Sequence, residues 1–452
     1  MALLAATATA AAMAATPRHL ILFHWGHSLQ IKIVLLAAVG ALAAAAIRRM
    51  PRRPAIAVIV TASVLLPLLA ATPRAPLSDD LYRYALDGQV QAHGIDPYAH
   101  APLAPQLIPL RTPWLYPDDP GCRRLGYQPG CTRINRPNDH TIYPPVAEVF
   151  FLGEHVVGLA HLEDRGYQLG GLLVVLALLA SMLALLRSYG RDVRLSAWWV
   201  LAPFPALALV ADAHVDGLAI VLSLLAILVS RRGHAVWAVV LVALAAMVKL
   251  YPGLLLFAFL DLRRPRQTAQ QIATFVGICV VSYLPHVVAV GTKVLGYLPG
   301  YLQEEHYDAG TRYLLLGIVH VTGTPATALV ALGMLATVGV VLWRRPDPLT
   351  GCLALYAALF LLTTPAQPWY LASLAALAVC AARPEWIAVA VAAYPLYFAN
   401  RIDHDPTRDG EISYGVAVLI VALVTLWRRY RSPRKGSDAK AAIPSSNVVV
   451  GA

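Results

Sequence analysis

The sequence predicts an all-α protein that crosses a membrane many times. Hydrophobic residues make up 58% of the 452 residues and charged residues only 13%, which is about half the charged share of soluble domains. The apolar residues gather in runs close to the roughly 20 residues that a helix needs to cross the hydrocarbon. We therefore expect one transmembrane domain over residues 1–435, with about 11–13 membrane-spanning helices of that length.

The apolar runs give the order of the predicted spans. They are residues 28–47, 54–72, 168–187, 195–212, 215–230, 234–250, 268–289, 324–343, 350–366, 368–382, 385–399 and 412–428. Several are short or contain proline, and two segments are expected to behave differently. Tyr143–Ala160 starts with two prolines and should lie in the outer interface or re-enter it. Lys249–Pro252 should end a short helix, because Pro252 breaks it.

The basic residues indicate how these spans are oriented. The net charge of +11 would suggest a nucleic-acid partner for a soluble protein, but here the arginines lie at the ends of apolar runs. Such clusters favour the cytoplasmic side. They are Arg48, Arg49, Arg52, Arg53, Arg187, Arg191, Arg194, Arg231, Arg232, Arg263, Arg264, Arg266, Arg344, Arg345 and the tail from Arg428 to Lys435.

This alternation places segments 73–167, 212–215, 290–323, 366–369 and 400–411 outside the cytoplasm. We expect a multi-pass plasma-membrane protein with no nucleic-acid partner. The polar residues 436–452 should form a disordered cytoplasmic tail.

The outer loop 73–142 is longer than loops without a function usually are. Its two cysteines, Cys122 and Cys131, would share an oxidising compartment, so we favour a disulfide between them over two free thiols. The other three cysteines lie in apolar runs and suit packing. Because no histidine or cysteine stands at zinc-like spacing, we expect no metal site of that kind.

Ser78–Gly88 is the most informative segment of this loop. Read as a helix capped by Ser78, it places polar residues along one stripe at three- and four-residue spacing. The stripe comprises Asp80, Arg83, Tyr84, Asp87 and Gln91. A structural alternative is an interfacial helix in which Asp80, Arg83 and Asp87 form a ladder of ion pairs.

The remaining unusual polar clusters fall on the same predicted side of the membrane. Ala213–Gly217 could be a simple hairpin turn, Lys249 could extend to lipid phosphate, and Thr363–Tyr370 could be a turn with an aromatic belt. Collected on one side, they predict a shared outer cavity. Its carboxylates could accept a proton, its cations could bind phosphate and its aromatic rings could hold a sugar or lipid. These are the components of a transferase that uses a lipid phosphate.

Six short motifs then occur in an order that resembles the GT-C class of glycosyltransferases. The similarity is to the group near family GT87 that includes polyprenol-phosphate-mannose-dependent mannosyltransferases, and it extends from about residue 78 to about residue 372. The motifs are Ser78–Gly88, Gly94–Tyr98, Thr141–Pro145, Ala213–Ala219, Lys249–Pro252 and Pro368–Tyr370. Three positions depart from the group: Leu86 replaces a tryptophan, Asp96 an asparagine and Gln367 a residue that is often histidine.

The resemblance implies a GT-C-like fold and a reaction. The donor would be a polyprenyl-phosphate-linked hexose, often mannose, and the acceptor a hydroxyl of a glycan or glycolipid, with inversion at the anomeric carbon. Related motifs with one acid two residues before Tyr-Arg favour Asp80 as general base, with Asp79 second.

The other roles follow from residue type. Donor phosphate would be bound by Arg83, Lys249, His214 and Arg312. Substrate would contact Tyr82, Asp87, Tyr143, Asp216, Tyr251, Gln367, Trp369 and Tyr370. We expect no cofactor, although an oxygen-rich site could also hold Mg²⁺ or Mn²⁺.

Two other functions use the same residues. A transporter or flippase of lipid-linked sugars would bind substrate during alternating access, but transporters tend to have inverted repeats and polar groups near the midplane. We find no repeat, and the polar groups crowd one side. A ligase of whole glycans or another lipid-linked group remains the other alternative.

Overall fold

A computed structural model gives the fold, and it describes residues 26–72, 77–118, 130–399 and 405–431. The expected fold class is confirmed, because the described residues form helices and contain no β-strand. The principal helices are α1 Gly26–Ile47, α2 Arg52–Ala70, α3 Asp80–Ala92, α4 Pro145–Val156, α5 Asp164–Ser188, α6 Asp216–Arg231, α7 Ala235–Ala246, α8 Pro265–Val290, α9 Gly323–Arg344, α10 Pro348–Thr363, α11 Pro368–Cys380, α12 Ile387–Ala399 and α13 Pro406–Arg431.

Shorter helical turns connect these elements. They are Pro105–Leu110, Leu159–Leu162, Val193–Ser196, Ala197–Val200, Pro203–Ala206, Leu207–Ala211, Tyr251–Ala258, Gly291–Leu295, Leu298–Glu304, Leu314–Gly317 and Pro384–Trp386.

The long helices match six of the twelve predicted spans, so the described residues contain fewer long spans than the 11–13 expected. Among the described residues, six helical segments are long and apolar enough to cross a membrane: they contain α1, α2, α5, α8, α9 and α13. A seventh candidate is the pair Val193–Val200 and Pro203–Ala211, bent by 62°. Several other predicted spans are short: α7, α10 and α11 have only 12, 16 and 13 residues. These short helices pack inside the bundle.

The two unusual segments also take the expected form. Helix α4 has 12 residues, a length of about 18 Å, which is too short for the roughly 30 Å hydrocarbon core. Helix α7 ends at Ala246, and after a break the short helix Tyr251–Ala258 carries Pro252 in its first turn. Neither segment forms an uninterrupted span.

The arginines predicted to be cytoplasmic meet at one end of the bundle. There Arg194 donates to the Met50 carbonyl at 2.7 Å and Arg231 to the Ser188 carbonyl at 2.7 Å. These contacts supply donors to carbonyl groups at helix ends that have no partner within the helix. The arginines therefore join neighbouring helices as well as marking one side of the bundle.

At the other end, α3 and α4 form a small domain-like layer with the outer loop. They approach so closely that a Cβ atom on Gly88 would lie 2.4 Å from the Phe151 carbonyl oxygen. Tyr84 stacks on Phe151 with 4.3 Å between ring centroids. This packing fixes the axis of α3 and hence the position of its first residue, Asp80.

The loop around these helices is mostly irregular, as its prolines suggest. Cys131 is disulfide-bonded, but its expected partner Cys122 lies outside the described residues, so that pairing stays a prediction. Cys279, Cys352 and Cys380 are free. The predicted disordered tail 436–452 also lies outside the described residues.

Helix α8 provides a test of orientation, because exposed leucines flank it: Leu262 before it and Leu295 after it. In a Cys279→Ala background, Leu295→Cys should react with a membrane-impermeant maleimide on intact cells. Leu262→Cys, beside the arginine cluster, should react only after the membrane is opened. The reverse pattern would contradict the predicted orientation.

Candidate active site

A cavity of about 970 Å³ opens at the end of the bundle opposite the arginine clusters. Many of the polar residues singled out in the sequence contribute to its wall. Those are Asp79, Asp80, Arg83, Tyr143, Lys249, Tyr251, Gln367, Trp369 and Tyr370. The structure therefore brings four of the sequence motifs to one chamber, although they are separated by up to about 290 residues along the chain.

Asp80 is held at the cavity wall by the residues just before it. The Asp212 carboxylate accepts the backbone N–H groups of Leu77 at 2.6 Å and Ser78 at 3.3 Å. Ser78 Oγ in turn accepts the Asp80 N–H at 3.4 Å. Helix α3 thus begins at Asp80, one residue later than a Ser78 cap predicts, and its first residue faces the cavity.

The Asp80 carboxylate has two close partners. Its Oδ1 accepts a hydrogen bond from Asn135 Nδ2 at 2.7 Å, and its Oδ2 lies 3.5 Å from His214 Nδ1. Burial by itself raises the pKa of Asp80, but His214, Lys249, Arg136 and the Asn135 hydrogen bond outweigh it and hold the pKa below its usual value. Asp80 is therefore ionised at neutral pH and can accept a proton.

Lys249 is fixed by a buried carboxylate beneath it. Its Nζ lies 3.4 Å from Asp216 Oδ2, and the Asp216 side chain is fully buried. The ammonium also lies 4.8 Å from the ring centroid of Tyr143 and 5.3 Å from that of Tyr370. Aromatic faces attract a cation, so the lysine is positioned at the wall between two rings.

The next part of the site is built around Trp369. Its ring stacks on His214 with 3.6 Å between centroids, and His214 contacts Asp80. Nearby, Gln367 donates to Glu305, whose other oxygen lies 3.2 Å from Arg312 Nη2. The cavity wall therefore continues from Asp80 to aromatic and hydrogen-bonding side chains.

Comparison with known proteins adds a family to this geometry. Glycosyltransferase family 87 matches the chain over residues 141–365. Over just under half of its length the chain is thus similar to the glycosyltransferases of family 87, which indicates a membrane glycosyltransferase. No curated protein and no solved structure matches it. The matched region contains the Thr141–Pro145, Ala213–Ala219 and Lys249–Pro252 motifs, whereas Ser78–Gly88 precedes it.

Some predicted site residues of this glycosyltransferase lie behind the cavity wall. His214 is behind Asp80, Asp216 is beneath Lys249, and Arg312 is behind Glu305. These three hold other side chains in place and do not line the cavity, so a direct contact with substrate, as the sequence suggested, is not supported by their positions.

Tyr82 and Asp87 lie farther back. Tyr82 is buried in the core of the outer loop and packs edge-on against Trp114, with 5.7 Å between centroids. Asp87 is buried two helical turns after Asp80, beside Thr141 and Glu148. Tyr82 and Asp87 are thus residues of α3 whose buried contacts hold this helix in place.

Arg83 lines the cavity, but its guanidinium is engaged with the chain. It donates to the carbonyls of Asn135 at 2.9 Å, Arg136 at 2.8 Å and Asp139 at 3.1 Å. This arrangement replaces the alternative ladder of ion pairs along α3. Arg83 therefore shapes the loop that carries Asn135, while its charge stays near the cavity.

Sequence reasoning missed several cavity residues on two outer segments. Asn135 and Arg136 come from the loop after the disulfide-bonded Cys131, and Glu304 and Glu305 lie at the C-terminal end of the short helix Leu298–Glu304. Arg136 joins the two segments through Glu304 at 2.6 Å. A pair of glutamates flanked by tyrosines in an outer segment was the available signal for the second group.

Left-handed backbone geometry occurs beside the site. Arg136, Ala213 and Thr364 have φ of 44°, 52° and 40°, a region that is unfavourable for residues with a Cβ. Thr364 is held there because its Oγ1 donates to the Arg312 carbonyl at 2.9 Å and accepts the Leu314 N–H at 3.0 Å. Tertiary contacts thus impose turns that local preference opposes.

The described residues contain no group of three histidine, cysteine, aspartate or glutamate side chains arranged to hold a metal ion. Asp79 and Asp80 are adjacent acids at the cavity wall, and a carboxylate in such a position can serve as a proton acceptor.

A buried acid pair supports α3 from below. Glu148 accepts hydrogen bonds from Thr141 Oγ1 and Gln91 Nε2, each at 3.0 Å, and lies beside Asp87. Burial raises the pKa of Asp87 to about 6 and also raises that of Glu148. Two carboxyl groups this close cannot easily both ionise.

This pair makes the stability of the glycosyltransferase depend on pH. The folded protein retains the Asp87 proton that the unfolded chain has released, so the stabilisation present at low pH is lost between about pH 4 and about pH 6. The melting temperature of the purified protein should fall across that interval, and Asp87→Asn should reduce the slope. Asp118→Asn, at an exposed carboxylate, is the matched control; an equal effect of both substitutions would contradict the assignment.

Proposed function

We propose that the protein transfers a hexose, preferably mannose, from a polyprenyl phosphate to a hydroxyl of a glycan or glycolipid. The observation that carries the proposal is the ionised Asp80 beside Lys249 in a cavity lined by aromatic rings. A carboxylate can deprotonate the acceptor, an ammonium can stabilise a phosphate, and rings can hold a sugar. The family match supports the general reaction class.

The reaction would occur in one displacement. The acceptor oxygen attacks the anomeric carbon as its proton passes to Asp80, while the bond from that carbon to the phosphate oxygen breaks. The electron pair of that bond leaves with polyprenyl phosphate, where Lys249 offsets the added negative charge. Attack from the face opposite the phosphate inverts the anomeric configuration.

The surrounding residues prepare this step. Asn135 and His214 hold the two oxygens of Asp80, so the carboxylate is oriented before substrate arrives. Asp216 holds Lys249, and the tyrosines on either side limit its movement. Such preorganisation lowers the barrier because the charged groups need little rearrangement during the reaction.

A lipid-linked donor also suits the position of the chamber. The chamber lies at the end of the bundle away from the arginine clusters. Because positive charge favours the cytoplasmic side, we assign the chamber to the extracytoplasmic side of the plasma membrane. A polyprenyl chain could remain in the bilayer while its phosphate and hexose enter the cavity. Neither a cofactor nor a metal ion is required by this scheme.

Asp80→Asn tests the general base. The amide preserves the size of the side chain but cannot accept the proton, so transfer by the purified variant should fall by roughly two orders of magnitude or more, with donor binding retained. Transfer and direct donor binding are measured together, and Asp118→Asn is the control for an unrelated carboxylate. Near-normal transfer by Asp80→Asn and a large loss in Asp79→Asn would assign the base to Asp79.

Lys249 should give a different kinetic result. Replacing it alone would leave the buried Asp216 charge unpaired and risk unfolding, so Lys249→Met is combined with Asp216→Asn. The double variant should lose both donor affinity and transfer rate, because phosphate is negative before and during the reaction. Donor affinity equal to that of Asp216→Asn alone would contradict a role for Lys249 in phosphate binding.

A further inference from the structure

Gln367 and Trp369 present two polar atoms that lack hydrogen-bond partners. Gln367 Oε1 and Trp369 Nε1 are both buried without a partner in the described part of the chain. The two side chains are 8% and 6% exposed and both contribute to the cavity wall. Leaving buried polar atoms unsatisfied is costly, and each such case requires an explanation.

The orientation of Gln367 is fixed by its neighbour. Gln367 Nε2 donates a hydrogen bond to Glu305 Oε1, so the amide turns its NH₂ group toward Glu305 and its Oε1 away from it. Arg312, 3.2 Å from the other Glu305 oxygen, supplies the countercharge. The order Arg312, Glu305, Gln367 therefore leaves Oε1 as the acceptor that remains available.

The two unsatisfied atoms have complementary roles. Gln367 Oε1 accepts a hydrogen bond, whereas the indole Nε1–H of Trp369 donates one. A sugar hydroxyl both donates and accepts, and the residues are only two positions apart at the start of α11. One hydroxyl, or two neighbouring hydroxyls, would satisfy both atoms once a hexose displaced the side chains that now cover them.

We infer that Gln367 and Trp369 form a subsite that recognises a hydroxyl of the donor hexose, with Glu305 and Arg312 as positioning residues. This inference rests on the proposed function. Lys249, assigned to the donor phosphate, lies 5.3 Å from the ring centroid of Tyr370, the residue after Trp369. A hexose attached to that phosphate would therefore reach the start of α11.

The subsite also places the hexose near the base. The Trp369 ring stacks on His214, and His214 Nδ1 is 3.5 Å from Asp80 Oδ2. A donor hexose contacting Trp369 is thus separated by one imidazole ring from the carboxylate that activates the acceptor. The stacked rings of Trp369 and His214 would then connect the hydroxyl-binding subsite with the general base.

The test compares polyprenyl phosphomannose with its monodeoxy forms as donors. With the unmodified protein, removal of the recognised hydroxyl should lower kcat/KM roughly 10- to 100-fold, because the buried partners stay unpaired. Gln367→Met and Trp369→Phe each remove one partner, so they should slow the parent donor while leaving the deoxy donor little affected. The ratio between the two donors should therefore fall.

Matched controls separate this effect from general damage. Gln89→Met removes a glutamine that donates to the Leu110 carbonyl, and Trp237→Phe changes an exposed tryptophan; both should preserve the donor ratio. An unchanged ratio in Gln367→Met would mean that water alone satisfies the buried atoms, and would overturn the inference. If kcat/KM fell with a deoxy acceptor and not with a deoxy donor, the assignment of the subsite to the donor hexose would be overturned.

A binding measurement separates failure of the subsite from failure of the proposed function. Mannose 1-phosphate and its deoxy forms are titrated into the purified protein without an acceptor. Weaker binding of the parent sugar to Gln367→Met, with no further loss for the deoxy form, would support the subsite even if no transfer were detected. Equal binding of every sugar by the unmodified protein and Gln367→Met would overturn it.

Discussion

The bilayer excludes unpaired charge, and this constraint organises the protein. A charged side chain within the hydrocarbon must find a partner or face a polar cavity. Asp216 does the first, because it is fully buried and pairs with Lys249 at 3.4 Å. Asp80 does the second, with Asn135 and His214 beside it. Pairing these groups at one end of the bundle creates a preorganised set of opposite charges there.

Several short or broken helical elements begin or end next to residues of the site. Helix α4 begins directly after Pro144, the bent segment Val193–Ala211 ends directly before Asp212, and the break after α7 contains Lys249. Pro144 and Lys249 line the cavity, and Asp212 holds the backbone just before Asp80. The left-handed turn at Ala213 directly precedes His214, so an unfavourable local backbone conformation is retained beside the site.

The structure separates residues that line the cavity from residues that hold those side chains in place. Asp80, Lys249 and Gln367 line the cavity, whereas His214, Asp216 and Arg312 hold these three or their neighbours from behind. Residues of both kinds look alike in a sequence, because each is a polar side chain at a predicted membrane border. The structure distinguishes them by which side chain lies between them and the cavity.

The sequence by itself determined the helical class, the order of the spans and the side on which polar motifs gather, since hydropathy and arginine position are local properties. It also identified Asp80, Lys249 and Trp369. Only the tertiary structure brought Asn135, Arg136 and Glu305 to the same chamber, and only it turned Arg83 toward backbone carbonyls. These contacts join residues more than 50 positions apart or lie in irregular loops, where no helical period records which side chains will meet.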